Sequence, residues 1–470
     1  MKNNILVYIV FLNFLTIISA FAQKTEHPDK PVFPAYWSKP TEQPDHIILT
    51  FSGDPSTSQS VTWRTSIAVK QGLAQITLAS AAPRIWKSAS QTMAKTELMD
   101  ASKVDGAEVS SNYHSVTFKG LMPDTLYAYR VGDGTHWSEW FQFRTASKKA
   151  EPFSFLYVGD AQNYILELWS RLIREGFSKA PKARFIVHAG DLVSEAHSER
   201  QWHEWFTAGG WIHGMVPSVP SPGNHEYRAF NEREKEEKVK NLSVQWKPQF
   251  TLPENGPADL KETAYFFDYQ GVRVISLNSN NHREEQVVWL DSVLKNNPNK
   301  WTIATFHHPI FSSAKERDNK ELRDLWKPVF DKYAVDLVLQ GHDHSYARGQ
   351  AGPYKKNELE GVNTRDSIAG TVYVVSVSGG KMYTLKKDLW DNYEAKLERK
   401  AENTQLFQVI KVEDDKLIYE AFTVTGELYD AFNLEKTGKK GKNKFIDLKN
   451  YSEEERLHGN TFPVYEDKKE

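Results

Sequence analysis

Apolar and polar positions along this chain repeat with two different textures, and the change between them divides it. Ser60-Val61-Thr62-Trp63-Arg64 and Leu126-Tyr127-Ala128-Tyr129-Arg130-Val131 alternate with a period of two, as half-buried strands do. Ile47-Ile48-Leu49-Thr50-Phe51 is a β-branched run of the same kind. The turn Leu121-Met122-Pro123-Asp124-Thr125 precedes Tyr127, and a Tyr so placed can form the tyrosine corner of Greek-key sandwiches. Short strands punctuated by Gly, Pro and Asp predict a β-sandwich over residues 45–145, and the small, charged, Pro-terminated stretch 146–152 reads as a linker. Beyond it Phe153–Val158 and Arg184–Ala189 are apolar strands that each end in Gly-Asp, with a helical segment from Ile165 towards Phe177 between them. Strand and helix continue to alternate, which predicts an α/β domain over 153–435. The Glu/Lys/Arg run from Phe230 to Lys240 reads as a solvated helix face. Residues 436–470 read as a charged, peripheral C-terminal tail.

The first 22 residues read as an address. Met1-Lys2 carry the charge, Ile5 to Ile18 is apolar apart from Asn13 and Thr16, and Ala20-Phe21-Ala22 is a small-x-small cleavage pattern. This is the layout of a secretory signal peptide. The alternative is an uncleaved anchor helix, but the run is shorter than the ~20 residues a spanning helix needs. The expected product is exported, to the periplasm or the medium, starts near Gln23 with an extended lead-in over 23–44, and has no membrane span after cleavage. Composition adds three points. Fifty-nine Lys and Arg against 61 Asp and Glu leave a net charge of -2, which argues against a nucleic-acid partner. The absence of Cys excludes disulfides, thiolate metal sites and Cys nucleophiles. Fourteen Trp imply heavy aromatic packing.

Five strand-like runs each end in a residue able to hold a metal. They are Val158-Gly159-Asp160-Ala161-Gln162, Ala189-Gly190-Asp191, Pro222-Gly223-Asn224-His225-Glu226, Thr305-Phe306-His307-His308-Pro309 and Gln340-Gly341-His342-Asp343-His344. Ligands gather at the carboxyl ends of strands in open α/β sheets, so the motifs are expected to converge on one edge. Singly, each has a plainer reading: Gly-Asp is usually a turn or a cap, and a lone His-x-Pro says little. The ordered set carries the argument. Two Asp, one Asn and three His form an O/N ligand set that suits Zn, Mn, Fe or a mixture. A shared carboxylate can bridge two ions, and a two-metal site clamps the attacking and leaving oxygens of phosphoester hydrolysis.

In this order the motifs resemble the calcineurin-like metallophosphoesterase superfamily. The preceding β-sandwich, with Gly53-Asp54-Pro55 and Thr62-Trp63-Arg64, resembles the fibronectin-III-like domain of purple acid phosphatases. The resemblance spans roughly residues 45–430 and implies an α+β multidomain fold: a fibronectin-III-like β-sandwich followed by an αββα metallophosphoesterase sandwich. It further implies that Asp160, Asp191 and His344 hold one metal and that Asp191, Asn224, His307 and His342 hold the other, with Asp191 bridging. His225 matches the family's phosphate-binding histidine, a candidate for protonating the leaving group, and Asn224 and His225 together would bind substrate. Two departures stand out. Ser194 occupies the slot where purple acid phosphatases carry a metal-binding Tyr. Gln162 occupies that of an Asp-x-His ligand, where an amide oxygen can still serve a first-metal site. Plant-type relatives carry a His pair after His-x-Pro. Here the loop reads Phe311-Ser312-Ser313-Ala314-Lys315-Glu316-Arg317, in which Lys315 or Arg317 could meet phosphate but a plain surface loop is the default. Tyr164 and Tyr346 lie next to site motifs and could line the pocket, but single aromatics are more often packing; His308, which follows His307, is read as packing or as a support of its neighbours.

The expected activity is hydrolysis of small phosphate monoesters by a metal-bound hydroxide, with two ions drawn from Fe, Zn and Mn. Two rivals stand beside it: a phosphodiesterase or nucleotide pyrophosphatase on the same site, and a non-catalytic surface or glycan-binding protein. The sequence carries no Gly-x-Ser-x-Gly nucleophile motif and no His-Glu-x-x-His, the patterns of other hydrolase classes.

Overall fold

The computed structural model describes residues 33–34, 36–104, 107–315, 317–351, 367–385, 390, 393, 395–438 and 443–448. The leader lies outside them, as do most of the lead-in and the end of the tail. Among the described residues no helix is long and apolar enough to cross a membrane.

Two large sheets build the body. In the longer one Phe153–Val158, Ile186–His188 and Ser218–Pro220 run parallel, with Leu156 paired to Ile186 and Ile186 to Ser218. In the second, Val272–Ser276, Trp301–Phe306, Leu337–Gln340 and Thr371–Val375 run parallel. These strands are apolar almost throughout because both of their faces are covered. The two-residue period then sorts their side chains into layers. Val272, Val274, Ile303, Leu337, Leu339, Val372 and Val374 join the core shared with the long sheet. Ile275, Ala304, Phe306, Val338 and Tyr373 pack against Leu290, Leu322, Trp326 and Phe330, which lie on the helices Arg283–Lys295 and Lys320–Tyr333. On the outer side of the long sheet lie Ser170–Lys179 and Glu199–Gly209, contributing Leu172, Ile173, Trp202 and Trp205 to its core. The order is helix, sheet, sheet, helix. Aromatics fill it as the Trp count implies: Trp169 stacks on Trp205 with ring centroids 5.8 Å apart.

The β-sandwich precedes this body. Asp45–Thr50, Ser58–Ser66, Ser111–Lys119 and Lys95–Met99 form one of its faces. Ser90–Met93, Leu73–Leu78, Leu126–Gly132 and Phe141–Arg144 form the other. Trp63, Val116, Tyr129 and Phe143 are among the residues closing its core. The Tyr127 hydroxyl accepts a bond from the Met122 N–H at 2.9 Å, which makes the tyrosine corner. The first face does not stop at the domain edge. Thr50 pairs in parallel with Ser218, so the sandwich sheet and the long sheet are continuous. The stretch read as a linker is tied down at its start, where the Ala146 N–H bonds Pro55 O at 2.9 Å and the Ser147 N–H bonds Gln270 Oε1 at 2.9 Å.

Two segments differ from the expectation. The tail is not peripheral at its start: Asn443–Asp447 forms a strand paired with Leu428–Lys436, because Phe445 is buried and stacks on Phe432 at 5.2 Å. The 230–240 run does hold an exposed helix, Glu232–Glu236, but it also walls an open cavity of about 420 Å³. Arg228, Lys235, Lys238 and Lys240 line that cavity with Tyr227.

Candidate metal centre

All five motifs follow parallel strands: Phe153–Val158, Ile186–His188 and Ser218–Pro220 in the long sheet, Trp301–Phe306 and Leu337–Gln340 in the second. The carboxyl ends of the two packed sheets therefore deliver their loops to one place. The donor atoms of Asp160, Asp191 and His344 lie within 4.8 Å of one another, as do those of Asp191, His307 and His342. Asp191 belongs to both groups. Asn224 joins through its Oδ1, 3.1 Å from His307 Nε2.

The backbone is bent to make this possible. Asp160, Asp191, His342 and His344 all have positive φ, at 51°, 50°, 75° and 44°, a region non-glycine residues avoid and one that clusters at functional sites. Glycines make room beside them. A Cβ at Gly341 would lie 2.4 Å from Asp160 Oδ2, and one at Gly190, where φ is +88°, would lie 2.6 Å from His307 Nδ1.

Hydrogen bonds to the outer ring nitrogens orient the imidazoles. His307 Nδ1–H donates to Ala189 O at 2.8 Å and His344 Nδ1–H to Lys381 O at 2.9 Å, so each Nε2 faces the cluster, the nitrogen whose lone pair a metal would take once it is deprotonated. The His342 N–H donates to both Asp160 oxygens at 2.9 Å. Gln162 places its amide nitrogen 2.9 Å from Asp191 Oδ2 and 3.0 Å from His344 Nε2, while its buried Oε1 has no partner. An amide flip exchanges these atoms and presents a hard oxygen ligand to the Asp160, Asp191 and His344 group.

Charge in the cluster is unbalanced without cations. Burial holds Asp160 well above the usual carboxylate range. Burial also opposes the ionisation of Asp191, but the His307 charge overrides it and brings that carboxyl below its usual range. Burial alone would lower His307; Asp191 overrides it and pushes the imidazole up to about 9. Burial takes His344 down to about 3 and holds His342 well below the ordinary imidazole range. Crowded lone pairs, an orphaned amide oxygen and one proton held by opposing charge are what a pair of divalent ions would resolve, and the donor set fits them. A metal held by His307 would take the place of that proton.

Around the cluster stand the other residues that the sequence singles out. Asn224 and His225 are half-buried. The His225 N–H bonds Asp191 Oδ1 at 2.9 Å, and its Nδ1–H donates to Ser194 O at 2.8 Å, which leaves Nε2 for proton exchange. Ser194 thus serves through its carbonyl. His308 lies edge to face with His307, its ring centroid 4.3 Å from that of His342, and is held by Ser279 Oγ at 2.8 Å. Tyr346 does not line the site: it is fully buried and bonds Asp430 Oδ2 at 2.6 Å. Tyr164 is half-buried with φ 57° and precedes the helical turn Ile165–Trp169.

Three residues escaped the sequence reading. Glu226 accepts backbone N–H bonds from Asp191 at 2.9 Å, Leu192 at 2.8 Å, Val193 at 3.3 Å and Gly223 at 2.7 Å, clamping two ligand loops together. Asp343, between the two histidines of its motif, clasps the loop after His-x-Pro. Its Oδ2 accepts from Ser312 Oγ at 2.7 Å and from the N–H groups of Ser313 and Ala314 at 2.5 and 3.2 Å. That loop is consequently not a plain surface loop, since Phe311 to Ala314 are buried. Tyr383 sets its ring 4.7 Å from that of His344. A further group, Asp45, His46 and His203, brings donor atoms equally close, but the Arg64 guanidinium already bonds Asp45 and His203, so a cation there would face a fixed positive charge.

Residues 44–145 match the family model described as purple acid phosphatase, N-terminal domain, and residues 153–346 match calcineurin-like phosphoesterase. The chain is similar to an uncharacterized protein of Mycobacterium tuberculosis, 29% identical over 385 residues covering 71% of this chain and 69% of that one. It is 26% identical to acid phosphatase type 7 of Homo sapiens over 344 residues, 66% of this chain and 71% of that one. In structure it resembles a purple acid phosphatase from yellow lupin seeds, with a TM-score of 0.68 and 18% identity over 84% of this chain and 74% of that one.

Proposed function

Because the chain belongs to the calcineurin-like phosphoesterases that carry a purple acid phosphatase N-terminal domain, we propose that this metal-dependent phosphatase is exported and hydrolyses small phosphate monoesters. The observation that carries the reading is the pair of ligand groups sharing Asp191, with His225 fixed beside them through Ser194 O. In this reading Asp160, Gln162, Asp191 and His344 hold one ion, and Asp191, Asn224, His307 and His342 hold the other. Bound there, two ions would neutralise phosphate charge and make water acidic enough to attack phosphorus near neutral pH.

The chain's own part follows from its fixed groups. The Asn224 amide and the His225 ring bind a phosphate oxygen. His225 Nδ1–H is committed to Ser194 O, so the proton that neutralises the departing alkoxide leaves from Nε2 of the protonated ring. Ser194 offers no tyrosinate, so no purple charge-transfer band is expected. Export is supported by the apolar run Ile5 to Ile18 and the Ala20-Phe21-Ala22 pattern, and Edman sequencing of protein expressed with its leader should start near Gln23.

The test joins elemental analysis to turnover of an aryl phosphate monoester and the matching diester. About two metal equivalents, with monoester turnover abolished in His307→Ala, is the expected result. Dominant diester turnover would move the function to phosphodiesterase. No metal and no turnover after loading with Zn, Mn or Fe would sink the enzymatic reading.

A further inference from the structure

Resting on the monoesterase reading, we propose that Arg317 is a substrate-binding residue that selects a phosphate monoester over a diester. The loop that carries it is fastened to the ligand-bearing turn. Asp343 bonds Ser312, Ser313 and Ala314, and Ser313 Oγ lies 2.7 Å from Ser345 Oγ. Arg317 then leaves the loop and turns back. Its Nη1–H donates to the carbonyl of the candidate ligand His342 at 3.1 Å, and its Nη2–H reaches the Tyr383 hydroxyl at 3.4 Å. The guanidinium carbon lies 4.9 Å from the centroid of the Tyr383 ring, the ring that also packs against His344. The side chain is 31% exposed, so the guanidinium reaches solvent beside the His342 turn. Lys315, two residues earlier, is exposed on the loop.

These contacts hold the guanidinium plane while leaving N–H donors over, since it carries five. Asp343 Oδ1 stands 3.9 Å from Nη1, an ion pair that occupies none of the guanidinium's N–H donors. The chemistry of the two ester classes does the rest. A monoester near neutral pH carries close to two negative charges on three non-bridging oxygens. A diester carries one charge on two, and an alkyl group takes the place of the third oxygen. Metal ions bind either ester. A fixed guanidinium beside them adds a charge-assisted bond to the monoester's extra oxygen and meets only alkyl surface on a diester.

The test uses metal-loaded wild type, Arg317→Ala and Arg317→Lys. Calorimetric titrations with inorganic phosphate and with dimethyl phosphate accompany monoester and diester kinetics. Arg317→Ala should weaken phosphate binding and lower monoester kcat/KM by about 10- to 100-fold. Dimethyl phosphate binding and diester turnover should change by less than about threefold. Arg317→Lys keeps the charge without the fork and should fall between. Metal content should stay at the wild-type value. Lost metal, equal loss on both ester classes, or unchanged phosphate affinity would each overturn the assignment. A wild type that binds phosphate and hydrolyses neither ester would instead overturn the monoesterase reading, and the phosphate titrations would then judge Arg317 alone.

Discussion

Glu226 touches neither candidate ion site through a side-chain ligand atom, yet two ligand loops depend on it. One of its oxygens serves Leu192 and Val193, the other Asp191 and Gly223. Burial, with the Asp191 charge adding to it, pushes its carboxyl up to about 7, so four N–H donors are what keep a charge there at all. In Glu226→Gln one oxygen becomes an amide nitrogen, and two buried N–H groups then face N–H donors. At about 1–3 kcal/mol for each orphaned group, the metal-free protein should lose roughly 2–6 kcal/mol in urea unfolding. Metal affinity should fall about 10- to 100-fold, as it does when supports of ligands are removed; chelator competition reads this. Unfolding within about 0.5 kcal/mol of wild type would refute the clamp. The example also shows where sequence reading ends. Gly-Asp and Gly-His are local signals: the glycine precedes the ligand and the strand precedes the glycine. Glu226 bonds residues 33 to 35 positions away, and Asp343 clasps a loop 29 to 31 positions away. Such partners are brought near only by the pairing of whole strands. Gln162 was legible as a position, but its amide orientation belongs to the folded site.

Strands behave in the same way one scale up. Their existence was readable from the two-residue period, as in Ser58–Ser66 and Leu126–Gly132. Their neighbours were not: Asp45–Thr50 adjoins Ser218–Pro220, which lies far along the chain. Asn443–Asp447 was missed because its two large apolar residues, Phe445 and Ile446, sit among Asn, Lys and Asp. That strand helps to cover a buried ion pair joining the two sheets. Arg348, on Tyr346–Ala351 of the second sheet, bonds Asp430, on Leu428–Lys436 of the long sheet, at 2.7 and 2.8 Å. Both side chains are wholly buried, and the guanidinium carbon lies 5.0 Å from the Phe432 ring and 5.5 Å from the Phe445 ring. Breaking such a pair leaves Arg348 with only Asp447 Oδ2, 4.0 Å away, as a counter-charge, whereas replacing both partners by apolar residues removes the buried guanidinium altogether. Asp430→Ala should cost about 3–5 kcal/mol in urea unfolding, and the double variant Arg348→Met with Asp430→Leu should recover most of it. A double variant no more stable than Asp430→Ala would refute the argument from stranded charge.

At the scale of the molecule the question is what keeps the sandwich on the phosphoesterase body. Besides the continuous sheet, the junction carries Arg64, bonded to Asp45 on its own side and to Glu199 across the boundary. Beside it, His203 Nδ1 accepts from Arg64 Nη2 at 3.2 Å and lies 3.0 Å from His46 Nε2, while the His46 ring stacks on Phe206 at 4.3 Å. A proton on His203 Nδ1 would break the Arg64 bond, since both nitrogens would then be donors, and set a second positive charge beside the guanidinium. Burial first, and Arg64 second, bring His203 down to about 4 against the pull of Asp45. Burial, Arg64, His203 and His213 hold His46 well below the ordinary imidazole range. The sign follows from proton uptake. Between the folded value and about 6.5, the unfolded chain binds protons that the folded chain refuses, so stability rises with pH across that window. Above about 6.5 neither state is protonated and the contribution is flat. Each imidazole contributes a slope of up to about 1.4 kcal/mol per pH unit. Thermal unfolding of the metal-free protein should therefore weaken from pH 6.5 to pH 4. His203→Gln keeps an acceptor for Arg64 but takes up no proton, so its curve should be flatter by about one imidazole's slope over that window. Curves that run parallel for wild type and His203→Gln would refute a proton-sensitive junction and leave the acid response to the metal-free site. A flatter curve would mean that acid loosens the sandwich from the body through His203, with stability lost from about pH 6.5 downward.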